Sequence, residues 1–329
     1  MATHRALVSH GDGPARFEEL SETDLPDGDV TVDVRYSSLN YKDGLAVTGK
    51  GKIARRFPMV CGIDLAGTVS ASDSPQFEPG DEVVLTGCGL SETHPGGYTE
   101  RQRVRSDWLV RKPEALTQLR TMAIGTAGLT AMLCVLELEE AGLSPDLDGE
   151  VLVTGAAGGV GSVAVAILAN LGHRVTAATG RPEAHEYLRR LGASAFVDRE
   201  ELAEGSGRPL DKQRWLAAVD TVGGSTLANV LAQTSYRGSV AACGMAGGTD
   251  LPASVMPFIL RGIGLHGVDS VQCPTAVRTK AWQRLERDLP LEQLDESTTV
   301  HSFDDVPRLA GEILQGGTRG RVVVDIAGS

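Results

Sequence analysis

Cysteine is scarce and scattered in this chain. The five cysteines, Cys61, Cys88, Cys134, Cys243 and Cys273, are odd in number and far apart. Neither a disulfide framework nor a CxxC zinc cluster fits that spacing, so buried, reduced thiols are expected. Aromatic residues make up only 4% of the 329 positions, and no slot for a planar ring is legible. Basic residues are outnumbered, 31 Lys and Arg against 43 Asp and Glu, which leaves a net charge of −12. The acids are spread along the chain, which argues against a general nucleic-acid surface. No run of about 18 consecutive apolar residues occurs, so no membrane-spanning helix is expected. The start of the chain lacks the apolar core of a signal peptide. These absences together predict a cytoplasmic protein. Tandem repeats, low-complexity tracts and long linkers are also lacking. The length predicts two domains rather than one.

Glycine, by contrast, is abundant: 40 residues, clustered in turns after apolar runs. The most informative cluster lies in Val151-Leu-Val-Thr-Gly-Ala-Ala-Gly-Gly-Val-Gly161. Glu150 to Thr154 is too short for a helix and rich in β-branched residues, so it reads as a strand. Apolar residues at helical spacing follow Gly161 and end at Leu171-Gly172, where a C-terminal glycine belongs. Arg174 to Thr179 reads as a second strand. Strand, glycine turn, helix and strand within about 30 residues make the βαβ unit that binds a dinucleotide. Ala156-x-Gly158-x-x-Gly161 matches its fingerprint with Ala first. Gly158 permits close approach of a diphosphate, Gly161 permits tight packing of helix on strand, and the amides of Gly159, Val160 and Gly161 face the phosphates. The alternative is a glycine-rich loop of another α/β protein.

The end of the second strand selects the cofactor. An NAD site places an acid there, whereas this chain has Thr179-Gly180-Arg181. A missing acid and a present base predict NADPH, with Thr179 as a hydroxyl donor and Arg181 against adenine or the 2′-phosphate. An arginine on a surface turn is the alternative.

Read in order, residues 2–9 and 30–36 alternate like strands, and the chain to about residue 112 is β-rich. Helical spacing follows over Leu116 to Met122 and Leu129 to Ala141, around Gly125-Thr-Ala-Gly128. After the βαβ unit come a helix to Leu191 and strands at Ala195–Asp198, Ala217–Gly224, Gly238–Gly244 and Ile263–Val268. Six strands alternating with helices predict a doubly wound parallel sheet. The remainder, a helix from Thr275, a strand at Val300–Phe303, a helix at Val306–Leu314 and a strand at Gly320–Asp325, is too small to stand alone. It is expected to complete the first domain.

Asn40-Tyr-Lys-Asp-Gly44, Pro58 to Gly67, Gly155 to Gly161, Thr179-Gly-Arg181, Asp220 to Gly223, Ala241 to Gly248, Met256 to Leu260 and Gly267-Val-Asp-Ser270 carry a family resemblance. The chain resembles the zinc-independent quinone-oxidoreductase branch of the medium-chain dehydrogenase/reductase superfamily, and within it the acryloyl-CoA reductases. The resemblance covers essentially the whole chain. It implies a GroES-like catalytic domain over 1–120 and 271–329 and a Rossmann NADPH-binding domain over 121–270. It implies hydride transfer from NADPH to the β-carbon of acryloyl-CoA, giving propanoyl-CoA. It also implies a homodimer, paired through the last Rossmann strand near Ile263 to Val268.

Residue roles follow from the same resemblance. Asn40 stands where zinc-dependent members carry a Cys ligand, Gly62-Ile63-Asp64 replaces Gly-His-Glu, and the four-Cys lobe is missing. Cys61 and Asp64 alone make no catalytic zinc site, so no metal is expected. Tyr41 and Asn40 sit beside the nicotinamide, with Tyr41 a cofactor contact and candidate proton donor, or a packing tyrosine. Asp64 holds a water or orients Lys42, or is a structural acid. Arg199, Met245, Ile259 and Ser270 line the cofactor groove, although Met245 and Ile259 read as core from the bare residues. Lys50, Lys52, Arg55 and Arg56 are the densest basic run and are candidates to hold the CoA phosphates; a solvated loop is the alternative. The competing activities are a quinone or general activated-alkene reductase and a non-catalytic NADPH-binding module, with a zinc alcohol dehydrogenase least favoured.

Overall fold

The computed structural model describes residues 3–328, so residue 2 of the first expected strand lies outside the described residues. The chain divides into two compact units. Unit 1 comprises residues through Thr126, Ser270–Glu286 and from Leu294 onward; unit 2 comprises Ala127–Asp269 and Arg287–Gln293. The sequence-based bounds at 120/121 and 270/271 differ from this. Residues 121–126 and Ser270 pack in unit 1, and Arg287–Gln293 packs in unit 2.

Unit 2 is built on a six-stranded sheet in the order Ala193–Val197, Arg174–Ala178, Glu150–Val153, Trp215–Asp220, Thr234–Ala242 and Gly264–Gly267. Every neighbouring pair is parallel. Numbered by chain order the strands run 3-2-1-4-5-6, the doubly wound arrangement in which ligands bind beyond the carboxyl ends of the strands. Parallel strands covered on both faces read as continuous apolar runs, which is why Val151, Leu152, Val153, Ala217, Ala218 and Val219 are all at most 1% exposed. Three short helices, Arg199–Glu204, Gly224–Gln233 and Met256–Arg261, complete connections that hydrophobic spacing left blank. A surface hollow of unit 2, lined by Glu201, Glu204, Asp211, Lys212 and Arg214 among others, contains none of the expected site residues.

Unit 1 holds a seven-stranded sheet and a three-stranded one. Val30–Ser38 lies in the middle of the larger sheet, between Asp64–Ser72 and the returning strand Arg321–Asp325, antiparallel to both. The C-terminal segment thus completes the first β-rich sheet, as its size predicts. The core gathers Leu7, Val32, Leu65, Leu85, Tyr98, Phe303 and Val324.

One apolar helix calls for an explanation, and one expectation needs correction. Gln118–Glu140 contains an 18-residue window of mean hydropathy 1.6, so this helix is apolar and long enough to cross a membrane by composition. Burial accounts for it: 83% of that window is inside the protein. The cysteines are not uniformly buried, because only Cys61 and Cys134 are, while Cys88, Cys243 and Cys273 are partly buried.

Candidate functional site

The glycine turn of unit 2 has the geometry its residues dictate. Gly155 adopts φ +58°, a left-handed conformation open to glycine. A Cβ on Gly161 would run into the Gly155 carbonyl and within 2.7 Å of Ala156 Cα, so only glycine lets helix Gly159–Asn170 close onto its strand. A Cβ on Gly158 would meet only the Gly155 carbonyl oxygen, at 3.2 Å, which leaves its outward side open. The first bond of the helix runs from Ser162 N to Gly158 O at 2.9 Å. The amides of Gly159, Val160 and Gly161 therefore stand outside the helical ladder at its positive end. Alongside, Asp220 is buried and accepts from Thr154 Oγ1 and Gly223 N, both at 2.7 Å; burial raises its carboxyl above the ordinary value.

The Thr179–Arg181 corner carries no carboxylate. Thr179 is nearly buried, and its Oγ1 accepts from Arg181 N at 3.1 Å, which shapes the turn. Arg199 lies across Gly180: a Cβ there would fall 2.5 Å from its Nε and 2.6 Å from its Cδ. Two guanidinium-bearing residues and a hydroxyl thus meet at the end of the second strand. Met245 and Ile259 are 68% and 73% exposed, which overturns the reading of them as core. Large apolar side chains open to this degree are available to a ligand.

Unit 1 brings together the other candidates. Asn40 is the N-cap of helix Tyr41–Thr48, and Asp43 reaches back to accept from Asn40 N at 2.8 Å. Asn40 Nδ2 lies 3.0 Å from Asp64 Oδ2 and from Ser38 Oγ, and 3.1 Å from Asp43 Oδ2. Asp64 is fully buried and accepts from Ser38 Oγ at 2.5 Å, Thr126 N at 2.9 Å and Thr126 Oγ1 at 2.5 Å. Arg321 Nη2 donates to Asn40 Oδ1 at 3.4 Å, and its Nε to Ala123 O at 2.7 Å. Gly125 makes this possible. Its φ of +53° breaks the long helix and turns Thr126 onto Asp64. Burial and the neighbouring Asp64 charge push the Asp43 carboxyl up to about 7, and burial beside Asp43 pushes the Cys61 thiol up to about 12. Burial also holds the Tyr98 phenol, which donates to Ser38 O at 2.9 Å, well above its ordinary value.

The remaining candidates scatter. Tyr41 is 58% exposed, so it is not a packing residue. Lys42 pairs with Glu92 and not with Asp64. Ser270 belongs to unit 1, where its carbonyl accepts from Arg278 Nη2 at 3.1 Å. Lys50, Lys52, Arg55 and Arg56 are exposed. A zinc ion does not fit: Asn40 and Ile63 offer no thiolate or imidazole, and the Cys61 thiol is held protonated. Among the described residues no group of three or more His, Cys, Asp or Glu is placed to hold a metal.

Comparison with known proteins follows the same division. Residues 26–114 match the alcohol dehydrogenase GroES-like domain and residues 159–287 match the zinc-binding dehydrogenase model. The chain is 54% identical to the probable acrylyl-CoA reductase AcuI of Escherichia coli over 97% of its length and 98% of that protein. It belongs to the medium-chain dehydrogenase/reductase family. A second relative of this family, the acrylyl-CoA reductase AcuI of Ruegeria pomeroyi, is 53% identical, with 96% of each chain covered. The yhdH oxidoreductase of Salmonella enterica, solved in complex with NADP, superposes with a TM-score of 0.95 at 54% identity over 98% of this chain and 99% of that one. In this member of the family, sequence reasoning missed Ser38, Asp43, Thr126, Arg321 and Tyr98. Asp43 alone carried a local signal, as the acid three residues after an Asn cap; the others meet only through the fold.

Proposed function

We propose that this protein reduces the C=C bond of acryloyl-CoA to propanoyl-CoA with NADPH. The observation that carries the reading is the acid-free corner at Thr179–Arg181 with Arg199 laid across Gly180, in a chain similar over nearly its full length to acrylyl-CoA reductases. Unit 2 is the NADPH-binding domain in this reading and unit 1 the catalytic one. When bound, the cofactor supplies the hydride that adds to the β-carbon of the enoyl thioester. The Gly159, Val160 and Gly161 amides hold the diphosphate, and Arg181 and Arg199 hold the 2′-phosphate. Met245, Ile259 and Ser270 line the nicotinamide and adenine sides, and exclude water there.

Asn40 presents an amide whose orientation is set by Asp64 on one side and Arg321 on the other. An amide held in advance stabilises developing charge without reorganising. Asp64 has its oxygens occupied by four donors, so it acts by positioning Asn40. Tyr41, next in the chain and open to solvent, contacts the cofactor and is the proton donor candidate for the α-carbon. Lys50, Arg55 and Arg56 steer the CoA phosphates. The protein works in the cytoplasm as a homodimer joined along Gly264–Gly267, a strand that ends its sheet with one neighbour.

Steady-state NADPH oxidation with acryloyl-CoA and 1,4-benzoquinone in parallel tests the reading. Turnover on acryloyl-CoA is expected, with NADH a poor substitute. Turnover on the quinone alone would replace the assignment with a quinone reductase.

A further inference from the structure

The segment 50–56 is anomalous in its charge. It carries Lys50, Lys52, Arg55 and Arg56, all exposed, in a chain of net charge −12. Elsewhere Arg5, Arg101, Arg120 and Arg308 are each tied to an acid. Among the described residues none of the four cations in this segment makes an ion pair. Unneutralised positive charge gathered on one loop of an acidic protein raises the local concentration of anions.

The loop is not slack. Its backbone is fastened at two places: Gly51 N donates to Leu45 O at 3.3 Å, and Arg55 N donates to Glu92 O at 2.8 Å. Glu92 also holds Lys42, the neighbour of Tyr41, so one residue ties the loop to the helix that begins at Tyr41. The backbone is fixed while the charged side chains remain open, which is the economical arrangement for binding.

Next to the two arginines stands Phe57, 51% exposed in a chain poor in aromatics. Its ring is seated on Gly11: a Cβ at that position, whose φ is +79°, would lie 2.6 Å from the ring. Glycine backbone thus supports the ring and leaves the rest of it to solvent. An exposed aromatic ring that directly follows two exposed arginines in the chain offers a stacking platform for a base attached to phosphates.

We propose that unit 1 carries an adenine-nucleotide site of its own, built from residues other than those of the glycine turn. Adenine stacks on Phe57, and Lys50, Lys52, Arg55 and Arg56 hold the 3′-phosphate and diphosphate of coenzyme A. The inference rests on the enoyl-CoA reading and extends it to the part of the substrate remote from the chemistry. The charges agree: a phosphomonoester and a diphosphate together bring about four negative charges near neutral pH, against four cations. The site makes the enzyme selective for CoA thioesters over thioesters that lack the nucleotide.

Two small probes separate this site from the cofactor site. Adenosine 3′,5′-bisphosphate carries the phosphates of CoA, and adenosine 2′,5′-bisphosphate those of NADPH. Their affinities are measured by calorimetry and by inhibition for the wild type and for the triple variant Arg55→Ala, Arg56→Ala, Phe57→Ala. All three side chains are exposed, so folding is expected to survive, and a Phe57→Tyr variant that keeps the ring serves as a rescue. The expected result is a loss of roughly tenfold or more in affinity for the 3′,5′ form, with the 2′,5′ form held to within about twofold and Phe57→Tyr near wild type. The KM for acryloyl-CoA rises in step. Equal losses for both probes, no loss for either, or no binding of the 3′,5′ form to the wild type would overturn the site. Selective loss of the 3′,5′ form in an enzyme that reduces no enoyl thioester would keep the site and remove the activity.

Discussion

Asn40 Nδ2 and Asp64 Oδ2 stand 3.0 Å apart, and the same Asp64 carboxylate accepts both the amide and the hydroxyl of Thr126. One buried acid therefore fixes the side chain of the helix cap and the residue just beyond the break at Gly125. With three donors on Oδ2 and one on Oδ1, this carboxylate is committed to holding its neighbours in place.

Removing that acceptor is the first test. In Asp64→Asn one oxygen becomes an amide nitrogen facing donors from Ser38, Asn40 and Thr126. Stability is expected to fall by about 2–4 kcal/mol, measured by urea unfolding. The kcat is expected to fall by roughly tenfold or more, because Asn40 loses its orientation. Affinity for NADPH is expected to change by less than about twofold, because the glycine turn proposed to hold it belongs to unit 2. A variant with full kcat would show that Asn40 needs no such support.

Gly125 is the second. A Cβ at that position would lie 2.8 Å from Asp64 Oδ2, 2.9 Å from Arg321 Nη2 and 3.0 Å from Ser38 Oγ, at a φ of +53°. Gly125→Ala is expected to destabilise the protein by about 2–4 kcal/mol, from strain and from displacement of the cluster. Thermal unfolding reads this directly. A melting temperature equal to that of the wild type would contradict the packing described.

Asp43 makes the third prediction, one of sign. Its carboxyl is raised to about 7 in the fold, against an ordinary value of 3.8. Between those values the folded state holds a proton that the unfolded state has released. The contribution to stability is therefore full below about 4, is lost as pH rises, and is gone above about 7, a change of at most about 4 kcal/mol. The stability difference between wild type and Asp43→Asn, from urea unfolding at pH 5 and pH 8, is expected to shift against the wild type at the higher pH. No shift between the two pH values would mean that the Asn40 and Ile63 amides keep Asp43 ionised throughout.

The fourth concerns cofactor choice. Arg199 lies over Gly180 with no acid at the corner. Arg199→Ala is expected to raise the KM for NADPH by roughly tenfold while leaving that for NADH nearly unchanged. Gly180→Val, which drives a side chain into Arg199, is expected to act the same way. Equal effects on both cofactors would move the 2′-phosphate elsewhere.

Much of this was legible from residues alone where the signal is local. The strand, glycine turn and helix of 150–171 announce themselves because Gly158 and Gly161 answer close contacts with Gly155 and Ala156 a few residues away. The six-stranded parallel sheet could be inferred from alternation of strands and helices, whereas its strand order comes from the fold. Asn40, Asp64, Thr126 and Arg321 are separated by tens to hundreds of positions, and no period or spacing links them. The exposure of Met245 and Ile259 escaped for another reason: apolar side chains normally signal core, and only the fold reveals the ones left uncovered. Lys42 escaped similarly, since its partner Glu92 lies 50 residues on in a loop with no pattern.

The central claim is hydride delivery to the β-carbon of an enoyl thioester. It is tested most directly by reducing acryloyl-CoA with NADPH deuterated at the transferred C4 position and locating the label in the product by mass spectrometry and NMR. One deuterium at C3 of propanoyl-CoA, with C2 protonated from solvent, is the predicted result. Label at C2, or no propanoyl-CoA while benzoquinone is reduced, would contradict it.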